Sequence, residues 1–223
     1  MLGDGYYTLT LWYSSVLFHF MNQLRVIGLS GVARAGKDTF AAILEKKLIA
    51  KGKTVKKIAL ATPLKGDCDS FLREKLGISG FTQVPDEKIL IRPFLVWYGD
   101  AQRKRTGGRY WIDKATEEIK NSSSDYYIVT DVRYDAYEKD ELYWLQREMN
   151  GIVCHVSRFT QEPTGRVFVE PPNEHERIND PKVRAKADHC VEWESVKGLT
   201  MEEVLNAPSL NAHVDEFMTK FGL

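Results

Sequence analysis

The sequence predicts an α/β fold, a three-layer sandwich in which a central parallel sheet carries helices on both faces. Short apolar runs alternate with helically periodic segments through most of the 223 residues, and this alternation is typical of successive βαβ units. One apolar run leads through a glycine-rich loop straight into a helical pattern. The length is sufficient for one domain of this class with a full hydrophobic core.

The glycine-rich loop has the spacing of a phosphate-binding loop. A buried strand is predicted at Leu24–Leu29, and the apolar positions from Phe40 onward lie on one face of a helix. Between them, Gly31, Gly36 and Lys37 fit the first seven positions of G-x-x-x-x-G-K-[ST]. Glycines let backbone N–H groups turn toward a polyphosphate, whose outer phosphates the lysine reaches. The loop therefore predicts nucleotide binding by Gly31, Arg34, Ala35, Gly36, Lys37, Asp38 and Thr39.

The eighth position of the motif departs from the pattern. Asp38 stands where Ser or Thr normally supplies the hydroxyl that coordinates Mg²⁺. Thr39 follows and offers a hydroxyl, and Asp38 can hold the ion directly or through water, because Mg²⁺ prefers carboxylate and water oxygens. We therefore expect a magnesium site at Asp38 and Thr39.

The segment at about residues 63–122 is predicted to be helical and to bind a substrate. It follows a strand candidate at Lys53–Ala59 and begins with Pro63, which suits the first turn of a helix. From Pro85 to Arg105, large aromatic residues stand beside Arg92 and a basic run. Stacking aromatic planes and bidentate guanidinium groups suit a ligand that is part base and part phosphate. A core helix with a solvated basic end is the alternative.

A later apolar run ends in Asp131 and is followed by Arg133. In enzymes with a phosphate-binding loop, a second strand delivers a carboxylate beside the metal and the phosphates. Because ligands gather at the carboxyl ends of strands in an open α/β sheet, Asp131 and Arg133 should face the same crevice as Lys37. A strand-end acid that caps the following turn is the alternative. Trp111, near the start of the preceding helix, is predicted either to stack on a ligand or to lie in the core.

The last third of the chain predicts a lid between two strands. A helix is predicted at Tyr137–Met149, strands at Ile152–Ser157 and Asp188–Trp193, and helices from Thr200 onward. The intervening residues 158–187 carry prolines among many charges and are predicted to be an irregular lid that closes over a bound polyphosphate. The candidates for a lid arginine are Arg158, Arg166 and Arg177, and simple solvated-loop charge is the alternative for each.

Composition limits the classes of function. The formal net charge is zero, which argues against a general nucleic-acid or membrane binder. Three scattered cysteines form neither a disulfide framework nor a zinc motif, so a cytoplasmic location is expected. Residues 1–20 are aromatic and apolar without the features of a signal peptide, and we expect an extension that the fold does not need. A surface strand or an oligomer contact is the alternative, and a homodimer stays open.

These residues resemble the deoxynucleoside monophosphate kinases of bacteriophages, within the P-loop NMP kinase group. The resemblance covers roughly residues 21–193 and begins at Ser30–Thr39, where Lys-Asp-Thr is the family's own variant of the loop. It continues in the motifs Ala61-Thr-Pro-Leu-Lys65, Arg92-Pro-x-Leu-x-x-x-Gly99, Tyr110-Trp111 and Thr130-Asp131-Val-Arg133. Residues 21–223 are accordingly expected to form a P-loop kinase domain.

The resemblance implies transfer of the γ-phosphoryl of ATP to a deoxynucleoside monophosphate, with Mg²⁺ as cofactor. It implies catalytic roles for Lys37, Asp38 and Arg133, with no nucleic-acid or membrane partner. The implied substrate pocket comprises Arg92, Val96, Gly99, Asp100, Trp111 and Asp131. Val96 and Asp100 depart from the Gln and Thr that the family often has there. The alternatives are a kinase for another phosphorylated metabolite, or a nucleotide-gated module whose basic residues 103–109 hold a nucleic acid or a protein.

Overall fold

A computed structural model describes residues 25–196 and 200–223, so the predicted extension at residues 1–20 lies outside the described residues. The strands are β1 Arg25–Ser30, β2 Val55–Ile58, β3 Tyr126–Val132, β4 Ile152–Glu162, β5 Gly165–Phe168 and β6 His189–Glu194. The helices are α1 Lys37–Ala50, α2 Ala61–Leu76, α3 Pro85–Thr106, α4 Arg109–Lys120, α5 Glu141–Tyr143, α6 Glu174–Lys186, α7 Met201–Asn206 and α8 Pro208–Phe221. A π-helical turn, Trp144–Glu148, continues α5.

The strands form one sheet in the order β2-β3-β1-β4, with β6 on the outer edge of β4. These five strands are parallel, which confirms the predicted parallel sheet. The far end of β4 also pairs with β5 in antiparallel fashion, a hairpin that the sequence interpretation did not include. Because the five parallel strands end at the same edge, the loops after β1, β2 and β3 meet there.

Helices cover both faces of the sheet, which confirms the three layers. On one face, Phe40 of α1 and Phe217 of α8 pack with Trp193 and the inward side chains of β1 and β4. On the other, Trp111 of α4 and Trp144 after α5 pack with the alternate side chains of β3. The central strands are apolar on both faces, as parallel strands buried between helices are.

The predicted helical segment at residues 63–122 consists of α2, α3 and α4, of which α4 packs on the face of the sheet. A small separate core joins α2 to α3 through Cys68, Leu72, Ile91 and Leu95. The cavity described below lies between these three helices and the end of β3. In the described residues, no helix is long and apolar enough to cross a membrane.

Two sequence-based predictions about this part of the chain are wrong. Residues 158–187 are not irregular, because β4 runs on to Glu162, turns into β5 and is followed by α6, while their closure over a ligand stays a prediction. The helix predicted at Tyr137–Met149 begins only at Glu141, because the Asp140 carboxylate caps it and accepts the N–H of Glu141. The residues before it form a loop that Asp140 also holds, through the N–H of Ala136 at 2.8 Å.

Candidate active site

The loop between β1 and α1 has the backbone shape of a phosphate cradle. Gly31 and Gly36 both have positive φ, at 126° and 95°, which side chains rarely tolerate. A Cβ at Gly31 would lie 2.1 Å from the carbonyl oxygen of Val156, and one at Gly36 would lie 2.3 Å from the Trp193 ring. Both glycines are thus required by conformation and by close packing against β4 and β6.

The Lys37 side chain bonds to the backbone of this loop. Its Nζ donates to the carbonyl oxygens of Gly31 at 2.7 Å and Val32 at 2.9 Å, and the residue is only 8% exposed. Burial lowers the pKa of Lys37, the nearby Arg133 guanidinium acts in the same direction, and surrounding carboxylates oppose the shift. The ammonium therefore lies inside the loop, where the outer phosphates of a nucleotide would arrive.

Asp38 and Thr39 follow in the first turn of α1, with Asp38 exposed and Thr39 half-buried. Within the described part of the chain, no group of three or more His, Cys, Asp or Glu residues could by itself hold a metal ion. A carboxylate and a hydroxyl at the N-terminus of this helix do match the oxygen ligands that Mg²⁺ prefers. The donor set fits an ion that is shared with the phosphates of a nucleotide.

Glu176 reaches the loop from α6, and sequence interpretation missed it. One carboxylate oxygen accepts the N–H of Ala33 at 2.7 Å, and the other accepts Arg133 Nη1 at 2.7 Å. Asn173 caps α6 by accepting the N–H of Glu176 at 3.0 Å. The Asn-x-x-Glu spacing was a visible helix-start signal, but it gave no reason to connect this carboxylate with the loop.

Trp193 packs beneath the loop, and the sequence interpretation did not predict this contact. Its indole Nε1 donates to the carbonyl oxygen of Ala35 at 2.8 Å, and its ring lies beside Phe40 at a centroid distance of 6.0 Å. The indole thus fills the space under Gly36 and fixes the second half of the loop.

A cavity of about 430 Å³ opens next to the loop, between α2, α3, α4 and the end of β3. All six predicted substrate residues line it together with Arg133: Arg92, Val96, Gly99, Asp100, Trp111 and Asp131. The structure therefore brings these side chains around one space, while their role in binding stays a prediction.

The walls of this cavity supply cations and one large apolar surface. Within the described residues, neither Arg92 nor Lys65 has a carboxylate within ion-pair distance. Asp100 is paired with Lys104 at 2.7 Å along α3. The buried Trp111 donates from Nε1 to the carbonyl oxygen of Gly99 at 3.2 Å, which fixes the indole in the wall. The cavity accordingly suits an anionic ligand with an apolar part.

Asp131 lies in the wall of the cavity but supports a helix. Its carboxylate oxygens accept the N–H groups of Leu60 at 2.7 Å and Ala61 at 2.9 Å, at the start of α2. Burial raises the pKa of Asp131, and these two N–H groups oppose the shift. These contacts match the alternative prediction, in which Asp131 is a capping acid. The element that Asp131 caps is the start of α2, however, and not the turn that follows β3.

A buried charge cluster holds Arg133 in place. Arg103 donates to both oxygens of Asp140, at 2.9 and 2.8 Å, and to Glu141 at 2.9 Å. The second oxygen of Glu141 accepts the backbone N–H groups of Arg133 at 2.6 Å and Tyr134 at 3.0 Å. Burial raises the pKa of Glu141 to about 7, against the opposing charge of Arg103. This Arg103 cluster fixes the loop after β3, and with it the direction of Arg133.

The three candidate lid arginines do not converge on the cavity. Arg158 is part of β4, and Arg166 of β5 pairs with Glu192 at 3.2 Å. Arg177 pairs with Glu174 at 3.0 Å on the exposed side of α6. None of the three is among the described residues that line the cavity. The hairpin and α6 fix these arginines elsewhere, and α6 instead brings Glu176 to the loop.

The basic residues at 103–109 are engaged in contacts within the chain. Arg103 lies in the buried cluster, Lys104 pairs with Asp100, and Arg109 forms ion pairs at 2.8 Å with Asp113 and Glu148. Arg105 donates to Gln102 at 2.8 Å. Three of these four cations are therefore paired with carboxylates of the chain, which weakens the alternative of a nucleic-acid partner.

The fold and the loop together define an α/β protein with a phosphate-binding loop at the carboxyl edge of its sheet. No protein-family model and no curated protein matches the chain. The chain is similar to a solved structure of shikimate kinase from Acinetobacter baumannii in complex with shikimate, at 15% sequence identity. That match covers 89% of this chain and 93% of the other, with a TM-score of 0.42.

Proposed function

We propose that this chain is an ATP-dependent kinase that transfers the γ-phosphoryl group to a deoxynucleoside monophosphate, giving ADP and a deoxynucleoside diphosphate. The observation that carries the proposal is the direct connection between loop and cavity. Arg133 lines the cavity, and its guanidinium shares the Glu176 carboxylate with the N–H of Ala33 in the loop. One cation would therefore lie between the donor and acceptor phosphates.

The remaining groups have roles that follow from where they lie. Lys37 would hold the donor phosphates, Arg92 the acceptor phosphate, and Arg133 the charge on the phosphoryl group during transfer. Phosphoryl transfer is catalysed mainly by positioning and charge neutralisation, so these three cations are a sufficient set. The acceptor is itself a phosphate, which needs no strong general base.

Asp38 and Thr39 would hold Mg²⁺ at the start of α1. When bound, the ion neutralises charge on the phosphates. The residues of the chain would then bind and orient the two substrates.

The choice of a deoxynucleoside monophosphate depends on the sequence resemblance and on the cavity. Arg92, which has no carboxylate partner in the part of the chain that the structure describes, suits the phosphate of such a ligand, and the fixed indole of Trp111 suits its apolar part. A different phosphorylated metabolite would use the cations and not require the indole. The bacteriophage origin and the cytoplasmic location stay predictions from the sequence.

A coupled assay for ADP tests the proposal directly. ATP is supplied with each common deoxynucleoside monophosphate in turn, with a phosphorylated sugar and a phosphorylated alcohol as further acceptors. We expect ADP formation that depends on an added deoxynucleoside monophosphate and identification of the diphosphate product by mass spectrometry. Turnover only with an acceptor that lacks a base would contradict the proposed substrate, and no acceptor-dependent turnover would contradict the kinase activity.

A further inference from the structure

A row of side chains on α3 lines the cavity at every fourth position: Lys88, Arg92, Val96 and Asp100. Residues four apart lie on one face of a helix, so the row follows the cavity wall, with cations at one end and a carboxylate at the other. The eight residues from Arg92 to Asp100 correspond to about 12 Å at 1.5 Å per residue. The wall that α3 contributes is therefore positive at one end and negative at the other.

Asp100 differs from the other two carboxylates in the described cavity wall, Asp131 and Glu141, which are both fully engaged within the chain. Asp131 uses both oxygens for N–H groups at the start of α2. Glu141 uses one oxygen for Arg103 and the other for backbone N–H groups of the loop after β3. Asp100 pairs through Oδ2 with Lys104 at 2.7 Å, and its Oδ1 accepts no hydrogen bond from the described residues. Asp100 is thus the carboxylate that is available to a ligand.

The pair with Lys104 leaves most of the acceptor capacity of Asp100 unused. The Lys104 side chain is 69% exposed, and exposed ion pairs of this kind contribute little free energy. An ionised carboxylate has about four acceptor positions on its two oxygens. Asp100 can therefore accept two further hydrogen bonds from a ligand, one on each oxygen.

A carboxylate at this end of the row determines which part of a nucleotide lies there. It repels a phosphate group, which is attracted instead to Lys88 and Arg92 at the other end. Trp111 donates to the carbonyl oxygen of Gly99, the residue before Asp100, so an apolar wall adjoins the carboxylate. A base has apolar faces and N–H donors on its edge, which match an indole next to a carboxylate. This end of the cavity therefore suits the base.

We propose that Asp100 selects the base of the acceptor nucleotide and favours guanine, an inference that rests on the proposed kinase function. Guanine has two adjacent donors, the ring N1–H and the exocyclic amine, which bond to both oxygens of one carboxylate. Adenine and cytosine each offer an amine next to a ring nitrogen that is an acceptor. Thymine offers one N–H between two carbonyl oxygens, which the carboxylate repels. The expected order therefore begins with guanine and ends with thymine.

Base selection is measured with the four common deoxynucleoside monophosphates and with deoxyinosine monophosphate, which lacks the exocyclic amine of guanine. Steady-state kinetics with ATP give kcat/KM for each acceptor. Because a hydrogen bond to a charged group is lost, we expect deoxyinosine monophosphate to be poorer than deoxyguanosine monophosphate by roughly ten- to a hundredfold. Deoxythymidine monophosphate should be poorer by at least the same factor.

The variant Asp100→Asn tests whether this side chain makes the choice. An amide offers one acceptor and one donor, which match an N–H next to a carbonyl group, and guanine, hypoxanthine and thymine all have that arrangement. We expect the advantage of deoxyguanosine monophosphate over the other two to shrink to within a few-fold. Lys104→Ala is the control, because it removes the ion-pair partner and leaves the carboxylate, so the order of bases should be retained.

Calorimetric titration without ATP separates this inference from the proposed function. We expect the unmodified chain to bind deoxyguanosine monophosphate more tightly than deoxythymidine monophosphate, with or without phosphoryl transfer. This binding order without acceptor-dependent ADP formation would support the role of Asp100 and contradict the kinase activity alone.

Three results would overturn the role of Asp100. The monophosphates could all bind with equal affinity. The preference for guanine could survive Asp100→Asn unchanged, which would assign it to another side chain. Finally, Asp100→Asn could weaken all the monophosphates equally, which would place the carboxylate at the sugar that they share.

Discussion

The loop and the cavity both contain basic side chains, but these side chains differ in whether they are already bonded to oxygen atoms of the protein. In the loop, Lys37 already bonds to two carbonyl oxygens, and Arg133, which lines the cavity, bonds to the Glu176 carboxylate beside the loop. In the cavity, Arg92 has no carboxylate partner within the described residues. A ligand must therefore displace protein oxygens to enter the loop, whereas Arg92 is ready for an anion. The loop thus favours a highly charged polyphosphate, and the cavity can accept a ligand with a single phosphate.

The largest expected effect is at Lys37. Lys37→Ala removes the ammonium that would neutralise the donor phosphates, and we expect kcat to fall by roughly 10² or more, since oriented contacts to a transition state are typically worth that much. Steady-state kinetics with ATP and the best acceptor measure the fall. Lys46→Ala, an exposed lysine of the same helix, is the control and should retain full activity. Near-normal turnover of Lys37→Ala would contradict the assignment of the loop.

The corresponding change in the cavity should affect the acceptor alone. Arg92→Ala removes a charged hydrogen bond worth about 1.5–3 kcal/mol, so we expect KM for the monophosphate to rise by roughly ten- to a hundredfold. KM for ATP should not change, because Arg92 lies in the cavity and not in the loop. Arg105→Ala, on the same helix outside the cavity, is the control. An equal rise of both KM values would show that loop and cavity are not separate binding regions.

Glu176 tests whether the protein carboxylate competes with the nucleotide. Glu176→Gln removes a negative charge next to the N–H of Ala33, and we expect an ATP analogue to bind about tenfold more tightly. Isothermal titration calorimetry measures the dissociation constant. Glu174→Gln changes an exposed carboxylate of the same turn and should leave it unchanged. Weaker binding by Glu176→Gln would mean that the carboxylate orients Arg133 for the nucleotide and does not compete with it.

The smallest effect concerns the Arg103 cluster behind the cavity. Burial raises the pKa of Glu141 from 4.5 to about 7, so the native protein holds its proton where the unfolded chain has already lost it. The contribution of Glu141 to the free energy of unfolding therefore falls as pH rises through this window, by at most about 1.4 kcal/mol per pH unit. Glu141→Gln cannot titrate, and its stability should depend less steeply on pH.

Urea unfolding across that pH range measures this slope. Glu138→Gln, an exposed position of the loop before α5, should retain the slope of the unmodified protein. Identical slopes for Glu141→Gln and the unmodified protein would contradict the raised pKa.

The loop was predictable from the sequence because its parts are contiguous. Gly31, Gly36 and Lys37 lie within seven residues, and the flanking strand and helix have clear periodicity. Its supports were not predictable, because the sheet topology brings them from far along the chain. Glu176 is 143 residues from Ala33, and Trp193 is 158 residues from Ala35. Neither residue belongs to a local sequence motif from which its contact with the loop could be predicted.

The prolines in residues 158–187 led to the wrong prediction that this segment has no regular secondary structure. Pro163 lies in the turn of the hairpin, Pro171 and Pro172 lie in the connection to α6, and Pro181 is inside α6. Pro163, Pro171 and Pro172 are tolerated because turns and connections need no backbone donor, and the cap by Asn173 starts the helix despite the charges around it. Among the cavity residues, Arg92 was predictable from its aromatic and basic surroundings and Asp131 from its place at the end of a strand, and the family resemblance added Val96, Gly99 and Asp100. The Arg103 cluster was not predictable, because its acids follow a loop of irregular structure.

Trp193 is an intrinsic fluorescent reporter of the loop conformation. Its indole is almost fully buried, donates to the carbonyl oxygen of Ala35 and lies against the ring of Phe40. The emission of an indole depends on its hydrogen bond and its surroundings, and here the hydrogen bond is to the loop while the Phe40 ring belongs to α1. A nucleotide that shifts the loop backbone would therefore change the fluorescence of Trp193. Nucleotide binding to the loop could then be followed in real time without an attached dye.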